Sequence, residues 1–398
     1  MSAKNSNSPK VLIVHNYYQI PGGEDTVVAN EKRLLEEHGH EVVLYSRSNS
    51  ELKNMSMLKK LLLPFTTVFN YRTYRDVKRI IKEQKIDVVH IHNTLSLISP
   101  AVYYAATSMK VPVVQTIHNF RLLCPGATFY RDGHICEDCV EKGLHCAVKH
   151  SCYRDSKLQT LICVVSTKIH RMTGIYGKLN YICLTEFNKE KLKSLKQIEA
   201  ERIFVKPNFA ESQASEIIPF DKRENRYVFA GRLDKLKGID YLLKAWKQMG
   251  DKAPKLIVCG TGPMEQWCKS YIKENSVNAE MKGFVPNADA KQLIAESKAL
   301  ILPTQWYEGF PMSIVESFSV GTPVICSDLG NAGCIVTEGI TGCKFKANST
   351  EDLIKAIERL EENYSTKLAE NICSLYCENF SQQSNYEILT SIYNDVIS

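Results

Sequence analysis

Two cations and two carboxylates in the second half of the chain have types and spacings suited to holding a phosphorylated sugar. The run Gly231-Arg232-Leu-Asp-Lys-Leu-Lys237-Gly238 follows the apolar stretch Tyr227–Ala230. Arginine offers a planar fork of donors and lysine a mobile point charge, a pairing that suits a diphosphate. The alternative is a solvated basic loop. Further on, Glu308-Gly-Phe310-Pro311-Met312-Ser-Ile-Val-Glu316 puts one carboxylate ahead of a helix and a second about one turn inside it. Proline favours the first helical position, and the free N–H groups of a helix start attract anions. Carboxylates beside such a site can accept hydrogen bonds from sugar or ribose hydroxyls. The alternative is acids that merely cap the helix. Gly260-Thr-Gly262-Pro263, after another apolar run, adds a loop that permits close approach.

The first half carries its own candidates. Gly22-Gly23-Glu24 opens a helical stretch, and adjacent glycines let backbone approach a phosphate or sugar. The loop is not Gly-x-Gly-x-x-Gly, so no dinucleotide site is expected. His118 ends the run VPVVQTIH, while His15 and His92 end two other apolar runs and are expected to line a pocket. Five of the 14 cysteines fall between 124 and 152, with a Cys-x2-Cys knuckle at 136 and 139. Cys124, Cys136, Cys139 and Cys152 are the candidate ligands of a structural zinc, with His145 or Cys146 able to replace one. The alternative is buried free thiols. No Asp-x-Asp occurs in the chain, so no metal–diphosphate site of that kind is expected and no cofactor is required for catalysis.

Strands and helices must position these groups. Unalternating Val/Ile runs at Lys10–His15, Glu41–Tyr45, Asp87–His92, Val111–His118 and Tyr181–Thr185 are separated by helical stretches. Such runs read as strands of a parallel sheet covered on both faces. The pattern restarts at Tyr227–Ala230, Lys255–Cys259, Ala299–Leu302 and Val324–Cys326, with helices expected at Ile239–Met249, Met312–Val320 and Glu351–Leu360. In such sheets ligands bind beyond the carboxyl ends of the strands. The expected domains are 1–205, with a Cys-rich insert at 120–155, and 206–378. A helix at 379–398 is expected to pack back on the first domain. Lys206–Glu211 and the polar stretch after it form the expected linker.

The 398 residues are 44% hydrophobic and 24% charged, an ordinary globular balance with a net charge of only +6. That excludes a mostly disordered chain and argues against a dedicated nucleic-acid binder. No apolar run approaches the roughly 20 residues that span a bilayer. The N-terminal MSAKNSNSPK lacks a signal peptide's apolar core, so a cytoplasmic location is expected. The charge has one local concentration. Between Leu52 and Lys85 lie nine Lys or Arg against Asp76 and Glu83, interleaved with Leu58, Leu61, Leu62, Leu63, Phe65, Val68 and Phe69. A basic amphipathic stretch suits anionic lipid headgroups, so peripheral association with the inner face of the membrane is expected. An ordinary solvated helix pair is the alternative.

Taken together, GRLDKLKG, the Glu-x7-Glu spacing and GTPVICSDLG resemble the retaining glycosyltransferases of family 4, group 1, and the likeness extends over nearly the whole chain. The resemblance implies an α/β GT-B fold, two doubly wound Rossmann-like domains facing a central cleft. It implies that Arg232 and Lys237 grip the donor diphosphate, that Glu308 and His118 serve the donor sugar, and that Glu316 contacts the ribose. The Gly22-Gly23 loop would lie at the boundary of donor and acceptor, with Gly262, Phe310, Pro311 and Met312 as further donor contacts. HNFRLLCPG, CEDC and CYR resemble a branch among bacterial surface-polysaccharide enzymes. The implied partners are a nucleotide sugar, with UDP favoured and GDP the alternative, and a glycan acceptor on a lipid pyrophosphate. Attack on the front face of the sugar is implied, with the departing phosphate taking the acceptor's proton. Asn331-Ala-Gly-Cys334 departs from the family, which often has Glu in that stretch. A sugar-nucleotide 2-epimerase of the same fold and a non-catalytic donor-binding subunit are the rival readings.

Overall fold

A computed structural model describes residues 8–20, 22–211 and 217–398. The chain forms two compact units. The first holds the chain through Arg131, then Cys136–Lys206 and Tyr386–Ser398; the second holds Asp132–Ile135 and Pro207–Asn385. Lys206 therefore falls in the first unit, and 379–385 group with the second.

Six parallel strands make the first sheet: β1 (Val11–Tyr17), β2 (Val42–Ser48), β3 (Val88–Asn93), β4 (Val113–Ile117), β5 (Asn180–Cys183) and β6 (Ile203–Val205), in spatial order β2-β1-β3-β4-β5-β6. Val11 to Val14 are wholly buried, as expected for a strand covered on both faces. Helix α1 (Gly23–Glu37) buries Val27, Val28, Glu31, Leu34 and Leu35 along one stripe. This spacing puts an acid, Glu31, in the core. Helices α2 (Met57–Val68) and α3 (Tyr71–Gln84) occupy the basic stretch, and α4 (Lys157–Met172) follows the Cys-rich segment. The last helix, Gln382–Ile397, buries Leu389, Ile392 and Tyr393 in the same core as Val11, Ile13, Val88 and Val114. Each such side chain contributes about 1.5–3 kcal/mol of burial.

The second sheet has the same plan. Its strands are β7 (Glu224–Ala230), β8 (Lys255–Cys259), β9 (Ala279–Gly283), β10 (Ser297–Leu302), β11 (Val324–Ser327) and β12 (Gly342–Phe345), in order β9-β8-β7-β10-β11-β12. Helix α5 (Ile239–Met249) turns Leu242, Leu243 and Trp246 inward, and the Trp246 indole donates to Pro254 O at 2.7 Å. Helix α6 is Met312–Phe318, shorter than expected, with Pro311 as its N-cap rather than its first residue. Among the described residues no helix is long and apolar enough to cross a membrane.

Candidate functional site

In the second unit, the polar groups collect on the loops that leave β7 and β10. β7 runs into Gly231-Arg232, and Asp234 caps the turn Lys235–Lys237 by accepting from Lys237 N at 3.1 Å. Gly238 follows with φ +69. A Cβ there would stand 1.8 Å from Pro303 O, so only glycine lets the two loops meet. Gln305 N donates to Leu236 O at 2.8 Å across this seam. As a result Lys237 Nζ reaches Glu308 Oε2 at 2.5 Å. Glu308 is 5% exposed, and its second oxygen, Oε1, is buried without a hydrogen-bond partner among the described residues. Trp306 Nε1 and Ser327 Oγ, beyond β10 and at the end of β11, are likewise unpartnered. An unsatisfied buried polar atom costs about 1–3 kcal/mol. A ligand hydroxyl would satisfy the Glu308 acceptor.

Arg232 lies on the same loop, largely exposed, with Nε 3.2 Å from Asp234 Oδ2. Glu316 stands one turn inside α6 and accepts from Asn287 Nδ2 at 2.7 Å. Phe310 and Met312 are partly buried against the hydrophobic core, so packing accounts for them. Gly262 is required by its neighbour, because a Cβ would fall 2.4 Å from Leu233 O. The site residues expected from sequence thus divide. Lys237 and Glu308 are joined and Arg232 shares the loop of Lys237, while Glu316 has a separate partner.

The first unit gathers histidines at the carboxyl ends of β1, β3 and β4. His92 Nδ1 and His118 Nε2 share a hydrogen bond of 2.9 Å. His90 is held by Tyr393 OH and Thr116 Oγ1, each at 2.7 Å. Glu31 Oε2 stands 3.4 Å from His92 Nε2, and Glu31 Oε1 pairs with Lys206 Nζ at 2.5 Å. Burial pushes His118 down to about 3 and His90 down to about 4, and holds His92 well below its ordinary value. All three are therefore neutral at pH 7. Burial raises Glu31, but the charge and hydrogen bond of Lys206 outweigh it and the net shift is downward. His118 can act as a neutral hydrogen-bonding ring, not as a cation. It borders a cavity of about 90 Å³ that Gln115, Thr116 and Arg121 also line.

Gly22 caps α1, and its N–H donates to Asp25 Oδ2 at 3.0 Å. Among the described residues nothing lies within 4 Å of a Cβ at Gly22 or Gly23, so the loop is open to approach. Beside it, Glu24 accepts from Tyr18 OH at 2.9 Å, and burial raises its carboxyl to about 8.

Residues 21–135 match the family described as Glycosyltransferase Family 4, and residues 211–373 match Glycosyl transferases group 1. The chain is a glycosyltransferase of the GT-B fold. An uncharacterized 41.2 kDa protein in the cps region of Klebsiella pneumoniae is 23% identical over 365 residues, 88% of this chain and 89% of that protein. Among solved structures, a glycosyltransferase from Rickettsia africae gives a TM-score of 0.70 at 17% identity, over 98% of this chain and 99% of that one. HepE from Anabaena, in complex with UDP, gives 0.67 at 16% identity, over 97% and 100%.

In this glycosyltransferase the thiols of Cys124, Cys139 and Cys152 are close enough to act on one another electrostatically. Among the described residues, the group of His, Cys, Asp or Glu whose ligand atoms lie within 4.8 Å of one another is Glu31, His90 and His92. Cys139 and Cys152 pack with Leu144, Cys146, Ala147 and Val164. Burial, with Cys124 and Cys152 nearby, pushes the Cys139 thiol up to about 12.

The transferase also uses residues that the sequence did not single out. Asn331, which marked a departure from the family, donates from Nδ2 to the carbonyls of Glu308 and Gly309 at 2.5 and 2.6 Å. It holds the loop that carries Glu308. Its signal was its place after β11, on the carboxyl side of the sheet. Lys206, expected in a linker, is wholly buried against Glu31. Nothing local in the sequence marks that pair, because its members are 175 positions apart.

Proposed function

We propose that this glycosyltransferase is a retaining enzyme that moves a sugar from a UDP-sugar to a lipid-linked glycan in the synthesis of a cell-surface polysaccharide. The observation that carries this reading is the buried Lys237–Glu308 pair with Glu308 Oε1 unsatisfied. Arg232 and Lys237 neutralise the diphosphate as it departs. Glu308 accepts from a sugar hydroxyl and orients the ring, Glu316 accepts from the ribose, and neutral His118 hydrogen-bonds the sugar. The C1–O bond to the diphosphate breaks and the acceptor hydroxyl forms the new C1–O bond on the same face. The hydroxyl's proton goes to the departing phosphate oxygen. The relative in a cps region and the UDP complex of HepE support the polysaccharide and the uridine base. The exposed apolar side chains of α2 support a peripheral position at the inner face of the membrane.

The test is nucleotide release from UDP-, GDP- and dTDP-sugars, with and without a lipid-pyrophosphate acceptor, followed by NMR of the product's anomeric proton. Acceptor-dependent UDP release with the donor's anomeric configuration kept is the expected result. An inverted product overturns retention. Release from GDP- or dTDP-sugars alone overturns the base, and a C2-epimerised donor with no acceptor consumed makes the protein an epimerase.

A further inference from the structure

Helices α2 and α4 pack against each other. Each turns an apolar ridge to solvent, Leu58, Leu61 and Phe65 on one and Leu158, Leu161 and Val165 on the other. Leu61 and Phe65 are 72% and 73% exposed, and Leu158 is 66% exposed. Helices of a globular protein normally bury such stripes, and contiguous exposed apolar surface marks an interaction site. Neither helix contains an acid, while Lys59, Lys60, Lys157 and Lys168 project from them. A second copy docked face to face would bring like charges together, which disfavours it. An anionic bilayer complements both the apolar ridges and the cations.

Between the two helices lies a cavity of about 170 Å³, walled by Leu63, Pro64 and Ile162 and bordered by Lys60 and Arg154. It shares Thr67, Leu95 and Cys163 with the cavity beside His118. Tyr153 stands in the outer cavity. The guanidinium of Arg154 lies 5.3 Å from its ring centroid, and that of Arg121, which lines the His118 cavity, lies 5.1 Å from it. Lys60, Arg154 and Arg121 thus mark a cationic path from an apolar mouth toward His118.

Resting on the transferase reading above, we propose that this pair of cavities is the binding site for a lipid diphosphate drawn from the bilayer. The outer cavity takes the first carbons of the lipid chain. Arg154 and Arg121, with Lys60 at the mouth, hold the diphosphate, and the glycan enters beside His118. Guanidinium forks match phosphate oxygens, and the apolar wall rewards the chain. A free phosphate compound would use only the cations; the lipid uses both.

The test uses the full chain with UDP present to occupy the donor site. Calorimetry compares farnesyl diphosphate, inorganic diphosphate and farnesol. Flotation compares vesicles of phosphatidylglycerol mixed with phosphatidylcholine against phosphatidylcholine alone. Farnesyl diphosphate should bind at least about tenfold tighter than either fragment, and Arg154→Ala should weaken it roughly tenfold or more. Leu61→Ser with Phe65→Ser should abolish flotation while leaving acceptor-independent UDP affinity unchanged. Ile162→Trp, which fills the outer cavity, should remove farnesyl diphosphate binding, with UDP affinity as the control for folding. Because that control reports the second unit, Ile162→Ala serves as a milder variant that should weaken binding of the chain. Equal affinity for inorganic and farnesyl diphosphate overturns the lipid site. Dimerisation by sedimentation with no flotation makes the face a contact between copies and overturns the bilayer. Lipid binding without UDP-sugar turnover would leave this site standing and remove the transferase reading, so the two failures are distinct.

Discussion

Replacing Lys206 with methionine should destabilise the first unit far more than a linker position could. Lys206 and Glu31 are both wholly buried, 2.5 Å apart, and Glu31 Oε2 is already without a hydrogen-bond partner. Removing the cation leaves a carboxylate in the core beside three neutral histidines. Breaking a buried pair from one side costs about 3–5 kcal/mol. Relief can come only from a proton, on Glu31 or on His90 or His92, and Lys206 is one of the charges holding those rings neutral. In urea, with a slope of about 1–3 kcal/mol per molar, the first unit's midpoint should fall by roughly 1–5 M. The variant should also gain stability relative to wild type as pH falls toward 5, because its folded state then takes up the proton that Glu31 needs. Wild type runs the other way. Its buried histidines are neutral, so stability is full above their unfolded value of 6.5 and is lost as pH falls toward about 3–4. Adding Glu31→Leu to Lys206→Met should recover most of the loss, since an apolar pair can replace a buried ionic one. Urea unfolding of the single and double variants at pH 5 and pH 7 decides it. A single-variant cost below about 1 kcal/mol, or a double variant no better than the single, would refute the buried pair.

Other expectations follow from the sites. Glu24 has its carboxyl raised to about 8 by burial, so the stability it contributes is present below 4.5 and is lost as pH rises through 8. Glu24→Gln should therefore match wild type at pH 5 and exceed it in thermal melting at pH 9; a variant less stable at pH 9 contradicts the assignment. Asn331→Ala frees the Glu308 loop, so kcat should fall while UDP affinity stays within about threefold, a change under roughly 1 kcal/mol. An equal loss in both would mean that Asn331 shapes the nucleotide site itself. For the cysteines, elemental analysis after reducing, chelator-free purification should find one structural zinc per chain, held by Cys124, Cys136, Cys139 and Cys152. Metal content near zero would make these buried free thiols.

The central strands were legible because their side chains are buried on both faces, which leaves unbroken apolar runs such as Val11–Val14 and Leu300–Leu302. Of the edge strands, β2 was read from Glu41–Tyr45, but β6, β9 and β12 were not. β9 is Ala-Glu-Met-Lys-Gly, half-buried, and β6 is only three residues long. An edge strand covers one neighbour and needs no continuous apolar run. Lys237 and Glu308 were legible as types placed at strand ends, but their pairing was not, because it depends on Gly238 letting the Pro303 loop approach. Glu31 was hidden by the opposite problem. On the buried stripe of α1 an acid reads as an interruption until its lysine partner is known. The outward ridge of α4 has the same helical period as a buried one, so the sequence could not say which way it faces.

The most direct test of the donor site is calorimetric titration of UDP into wild type, Arg232→Ala and Lys237→Ala. Charge-assisted contacts of this kind contribute about 1.5–3 kcal/mol, roughly ten- to a hundredfold in affinity. Each variant should lose that much UDP affinity, while Glu308→Gln binds UDP almost as wild type does and loses turnover. UDP affinity unchanged in both cation variants would contradict the assignment of the diphosphate to the loop after β7.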